Sequence, residues 1–203
     1  IVGSRVGQMG GFDYMQYIAP GLIMMSVITN SYSNVVSSFY GAKFQRNIEE
    51  LVVSPVPHHI ILSGFVIGGV VRGLLVGVMV TLLSLFFTHL SIHHLFVVIY
   101  SVLVTSTLFA LGGFVNAVFA KSFDDISIVP TFILTPLTYL GGVFYSIDNL
   151  SPFFQTVSLF NPIVYMVNSF RFGILDVSDV DIRLSLTIMT LATIALYVYA
   201  LKL

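Results

Sequence analysis

Cysteine is absent from this sequence, which removes disulfides and thiolate metal sites from consideration. Charge is scarce as well. Asp, Glu, Lys and Arg make up 8% of the residues, against about a quarter in an ordinary soluble domain. The net charge of -1 leaves no basic surplus with which to hold nucleic acid. A P-loop needs Gly-Lys followed by Ser or Thr, but Lys43, Lys121 and Lys202 follow Ala, Ala and Leu. The chain therefore carries no nucleotide site of its own. No Ser-His-Asp or paired-carboxylate constellation stands out. Among the five His residues, His89 and His93 are spaced i, i+4, with His94 beside them. They lie in a short polar break without the usual third ligand and read as a surface loop rather than a metal site. These absences argue against an enzyme.

What is abundant is apolar surface. The chain is 57% hydrophobic, with a mean hydropathy of +0.99. A bilayer core of about 30 Å needs roughly 20 apolar residues in helix. Five segments meet or approach that length: 17–40, 60–87, 95–120, 126–145 and 184–201. None shows a polar face at a 3.6-residue period, as a soluble helix would. The expectation is an all-α, multi-pass membrane protein forming one domain over 1–203. A sixth apolar region, 150–175, is divided by Pro152 and Pro162 into pieces of about 10 to 13 residues, too short to cross alone. It reads as a re-entrant or interfacial helical hairpin; a single kinked span is the alternative. Pro130 and Pro136 should kink the fourth span.

Within the spans, Gly69, Gly73 and Gly77 recur every four residues and lay a stripe without side-chain bulk along one helix face. It suits either tight packing within one subunit or contact with a second one. Arg72 stands beside that stripe, deep in an apolar run and with no acid between Glu50 and Asp124. It reads either as a functional intramembrane charge or as a side chain snorkelling to the interface. The second half of the first span is crowded with Thr29, Asn30, Ser31, Ser33, Asn34, Ser37 and Ser38. These are glue between helices or the lining of a polar path. No Asp or Glu lies inside a span, which argues against an ion-coupled transporter. Power must come from a partner.

The largest mixed-charge cluster sits in "KFQRNIEELVVSPVP", residues 43–57. On a helix over about 44–54, Phe44, Ile48, Leu51 and Val52 share one face, with Arg46, Glu49 and Glu50 on the others. Ser54-Pro55 is a firm stop. If this loop is cytoplasmic, Lys43, Arg46, Lys121 and Lys202 lie inside and Arg5, Arg171 and Arg183 outside, a faint positive-inside preference.

The stretch "RNIEELVVSPV" resembles the coupling-helix motif of the type-2 family of ABC transporter permeases, in which Glu is followed by two Leu and then Ser/Thr-Pro. Glu49, Leu51, Val52, Ser54 and Pro55 match. "PLTYLGGVFYSIDNLSPFF" and "NPIVYMVNSFR", carrying Pro152, Asn161, Pro162, Tyr165 and Arg171, are similar to that family's last external region. Where the family often has Gly-Thr before the Glu, this chain has Arg46-Asn47.

The resemblance implies an export permease of the bacterial inner membrane. Two copies would pair as a homodimer of six-span subunits, each bound to a separate cytosolic ATPase subunit. ATP and Mg would sit on that partner, and this chain would need no cofactor. The hairpin would form an external gate, and a first span and an interfacial helix would precede residue 1. A rival from another class is a membrane scaffold that recruits a cytosolic partner through 44–54 without transporting anything.

Overall fold

The computed structural model describes residues 8–9 and 11–203; Arg5, weighed in the charge balance above, lies outside them. A two-residue antiparallel ladder, β1 (Gln8–Met9) with β2 (Phe12–Asp13), turns at Gly11, whose φ of 83° suits glycine. The chain then enters α1 (Tyr14–Phe44), the short α2 (Asn47–Val53), α3 (His58–Ser84) and α4 (Leu95–Phe119). A broken run follows: α5 (Phe123–Ile128), a π-helical turn (Val129–Leu134) and α6 (Thr135–Tyr139). After a 3₁₀ turn (Ile147–Asn149) come α7 (Pro152–Ser158), α8 (Pro162–Leu175) and α9 (Ile182–Ala200). The architecture is all-α.

Among the described residues, three helices, α3, α4 and α9, are long and apolar enough to cross a membrane. They coincide with the expected spans at 60–87, 95–120 and 184–201 to within three residues at each end. The other two expected spans differ. α1 has 31 residues, longer than the 17–40 expected, but its Thr, Asn and Ser side chains keep it out of that apolar set. The segment expected at 126–145 is helical over 123–139 and changes register midway. Proline is the reason. Pro136 has no N–H for the carbonyl four residues back, and the preceding turn shifts to i→i−5 pairing. Thr135 donates to Pro130 O through its backbone N–H and, at 2.8 Å, through its hydroxyl. Gly142, with φ 72°, then turns the chain.

α1 is the central post. Met24, Val27, Ile28 and Val35 are wholly enclosed by α3, α4 and α8. Glycine sets how closely α3 lies on it. Gly69, Gly73 and Gly77 are buried, and a Cβ on them would meet Val35, Ser31 and Val27 of α1. The opposite face of α3 is exposed, with Ile67, Leu75 and Met79, a surface that suits lipid. α8 is the opposite case: it is enclosed by α1, α4 and α9 along almost its whole length, with Asn168, Ser169 and Arg171 buried among its apolar side chains.

The 150–175 region does form two helical pieces, of seven and 14 residues rather than 10 to 13. Pro152 and Pro162 each sit in the first turn, so they start the two helices. Asn161 caps α8: its Oδ1 accepts from Ile163 N at 3.0 Å while its Nδ2 donates to Leu137 O at 2.7 Å. The Tyr165 hydroxyl donates to Leu159 O at 2.7 Å and closes the turn between the pieces. Asp179 Oδ2 accepts from Ile147 N at 2.9 Å, so the chain entering this region and the chain leaving it meet at one end of the molecule.

Candidate functional site

α1 ends where the backbone changes hand. Gln45 N donates to Gly41 O and Arg46 N to Lys43 O, both at 3.1 Å. Arg46 then takes φ 64°, ψ 9°, a left-handed conformation that costs a residue with a Cβ about 1–2 kcal/mol. α2 restarts at Asn47 in a new register. Phe44, expected on the short helix, is therefore the last residue of α1, and its ring meets Phe123 at 5.2 Å. The break at Gln45–Arg46 takes it off the face shared by Ile48, Leu51 and Val52.

No residue of α2 is buried. Glu49 and Glu50 lie in its first turn, where the helix dipole favours them. Ser54 closes the last turn, its N–H donating to Glu50 O and its hydroxyl to Leu51 O at 2.6 Å, before Pro55 stops the helix. Ile48, Leu51 and Val52 border a groove of about 330 Å³ floored by Phe39, Leu62 and Ala200. Val53, 86% exposed, points away from it.

The floor under α2 is braced. Lys43 Nζ donates to Val118 O at 2.7 Å and Ala120 O at 2.8 Å, placing a cation on the unsatisfied carbonyls that end α4. Ser122 and Asp125 form a capping box that starts α5. The N–H groups of Lys121 and Ser122 donate to Asp125 Oδ2 at 2.8 and 3.0 Å. Tyr40 and Phe123 stack edge to face across the same junction.

Arg72 lies midway along α3, exposed, on the side away from the interior. Its Nη1 donates to Asn34 Oδ1 of α1 at 3.4 Å. Gly64 and Gly68 share its face, and a Cβ at Gly64 would meet nothing within 4 Å. The neighbouring face of α1 carries Ser26, Thr29, Asn30, Ser33, Asn34, Ser37 and Ser38, all exposed or half-buried. Ser26, Thr29, Asn30 and Ser37 return a donor to the carbonyl four residues back. Together α1 and α3 present one polar, singly charged strip to the outside.

At the far end, Arg171 is 2% exposed. Its Nη2 donates to Gly142 O at 2.6 Å, its Nη1 to the Tyr17 hydroxyl at 3.0 Å, and Asp179 lies 3.9 Å away. The Tyr17 ring sits 4.0 Å beneath the guanidinium. Asn168 Nδ2 donates to Val180 O at 2.9 Å while its Oδ1 accepts from Asp179 N at 2.7 Å. The histidines read as loop residues fasten this end: His93 and His94 N–H groups both donate to Gly173 O, and His94 Nε2 lies 2.8 Å from Asp176 Oδ1.

The sequence pattern of the family described as "ABC-2 type transporter" matches residues 1–175. The chain belongs to that family. It is similar to the inner membrane transport permease YadH of Escherichia coli, 58% identical over 197 residues, which is 97% of this chain and 77% of that protein. Nodulation protein J of Rhizobium leguminosarum bv. viciae is 24% identical over 174 residues, covering 84% of this chain and 66% of that protein. Nodulation protein J of Neorhizobium galegae is 23% identical over 186 residues, covering 91% and 71%. No solved structure matches. The ABC-2 chain described here is thus a transport permease, multi-pass in the bacterial inner membrane, and its family implies a separate ATPase subunit.

Membership gives Arg46 a physical reading. It occupies the place where the resemblance expects Gly, and it has the left-handed backbone that glycine adopts without cost. Sequence reasoning placed Lys43 in the mixed-charge cluster and Asn34 among the polar residues of the first span without giving their partners, and it did not single out Asp179. Lys43 had a signal, a lysine in the last turn of a long helix. Asn34 had its place in the polar half of a span, and Asp179 had no signal until the helices were packed.

Proposed function

We propose that this chain is the membrane subunit of an ATP-driven exporter, working as a homodimer with one cytosolic ATPase subunit on each copy. α2 is the coupling helix, and ATP with Mg is handled wholly by the partner. The observation that carries this reading is α2 itself: uncovered, amphipathic, negatively charged in its first turn and standing on a braced floor. A push on it passes into α1, α4 and α9, whose ends form or flank that floor. The face of α1 and α3 bearing Arg72 turns toward the second copy and borders the path between them. Gly69, Gly73 and Gly77 hold α3 on α1 inside one copy, so the pairing face is the polar one.

In this reading 1–203 is one permease domain. α1, α3, α4, the run 123–139 and α9 cross the membrane. The region 150–175 dips in and leaves on the external side, a reading supported by the Ile147–Asp179 bond that ties its ends together. The test is co-purification of the ATPase subunit encoded with this permease. Glu49→Lys and Leu51→Asp are expected to abolish recruitment and export while membrane insertion persists. Retention of the ATPase by both variants would remove the coupling role.

A further inference from the structure

Lys43 holds two parts of the protein at once. Its carbonyl oxygen accepts from Arg46 N at 3.1 Å, at the left-handed residue from which α2 restarts. Its side chain reaches α4. Nζ donates to Val118 O at 2.7 Å, Ala120 O at 2.8 Å and Ala117 O at 3.4 Å, so the three donors of an ammonium meet three carbonyls at the end of that helix. One residue therefore carries the root of α2 on its backbone and the end of α4 on its side chain.

The polar links continue past that end. The two N–H groups after Ala120, those of Lys121 and Ser122, donate to Asp125 Oδ2 in the first turn of α5. The Phe123 ring packs edge to face on Tyr40 and on Phe44, either side of Lys43 in the chain. The last turn of α1, the corner 117–122 and the start of the run 123–139 are thus one connected body. The far end of that run is fastened too. Leu137 O accepts from Asn161 Nδ2 at 2.7 Å, and a Cβ at Gly141 would come within 2.7 Å of Ile163, both at the start of α8.

The other exit from α2 differs in kind. Among the described residues, no side-chain hydrogen bond joins α2 to α3. The two meet as apolar borders of one groove, Ile48, Leu51 and Val52 on one side and Ile61 and Leu62 on the other. Apolar contact is non-directional and lets surfaces slide, whereas a charge-assisted hydrogen bond fixes position.

We infer that Lys43 is the positioning residue through which a displacement of α2 reaches the run 123–139 and, by way of Asn161, the external hairpin. The apolar groove bears α2 without steering it. The inference rests on the exporter reading above and names the one side chain that carries its stroke out of α1.

The permease assembled with the ATPase subunit encoded with it provides the test. Because the chain has no cysteine, a single Cys can be labelled with an environment-sensitive fluorophore before assembly. Gln45→Cys reads the root of α2, and Leu140→Cys, just beyond α6, reads the far end of the run. ATP with vanadate is expected to change the emission at both positions. Lys43→Met should keep ATPase binding and the response at Gln45→Cys. The response at Leu140→Cys should fall about fivefold or more, the low end of the usual coupling between two sites. Lys43→Arg, which retains charge and reach, should restore most of it. If Lys43→Met does not insert, Lys43→Gln, uncharged and one atom shorter, is read the same way. A full response at Leu140→Cys in Lys43→Met overturns the role of Lys43. Loss at both positions does so as well, since the residue would then only support α2. Silence at both positions in the protein with Lys43 intact removes the exporter reading, and this inference with it. A response there at Gln45→Cys alone spares that reading and overturns the inference.

Discussion

A guanidinium enclosed on all sides must find acceptors inside the protein or destabilise it. Arg171 finds Gly142 O, the Tyr17 hydroxyl and Asp179, and so ties α8, α1 and two loops into one knot. Removing it strands a carboxylate that is itself only 5% exposed. Arg171→Met should therefore cost about 3–5 kcal/mol, the usual penalty for orphaning one partner of a buried pair. Arg171→Met with Asp179→Asn should recover much of that loss. Thermal unfolding in detergent, followed by protease resistance of α8, checks both; equal loss in the single and double variants would refute the charge argument. Sequence reasoning saw Arg171 in an external region but counted it as a free cation voting on orientation. Its partner lies eight positions on, across a turn that Asn168 closes, and such a closure is invisible before the chain is packed.

At the scale of helices, two kinds of glycine share α3 and separate cleanly. Gly69 and Gly77 sit where α1 touches, and a Cβ at Gly77 would come within 2.8 Å of Val27. At Gly64 there is room for one. Gly69→Leu is expected to destabilise the bundle by about 1–3 kcal/mol or more through overpacking, whereas Gly64→Ala should stay within roughly 0.5 kcal/mol of wild type. Fluorescence-detected size exclusion across a temperature ramp distinguishes them, and equal sensitivity at both positions would refute the assigned face. The four-residue spacing revealed the stripe, but spacing alone left open whether its partner was this chain or another. Ser31 and Val35, on α1, supply that answer. The prolines of the fourth segment were legible as a disturbance, and only the Thr135–Pro130 pairing turns a kink into a register change. Long apolar runs declare themselves by length. Where a helix is half polar, as in α1, or interrupted, as in 123–139, the boundaries depend on packing that composition does not contain.

The whole molecule has two chemically unlike ends, and this decides how it should lie in the membrane. Lys43, Arg46, Lys121 and Lys202 gather at the end that carries α2: Lys43 reaches Ala120 O, next to Lys121, and Leu201, next to Lys202, borders the same groove. Arg171 no longer counts for the other end, because its charge is enclosed with Asp179. Among the described residues that leaves Arg183 there, so the balance becomes four against one and favours α2 on the cytoplasmic side. Because the chain has no cysteine, single Cys variants report each end without background. Gln45→Cys should react with a membrane-impermeant maleimide only in inverted vesicles. Asn149→Cys, at the end where Ile147 meets Asp179, should react only in right-side-out spheroplasts. Labelling of both from the same side would mean that an odd number of crossings does not separate them, and would dismantle the arrangement of α3, α4 and 123–139 as three membrane crossings. Labelling in the reverse sense would keep the crossings but turn α2 away from any cytosolic ATPase, and with it the coupling role.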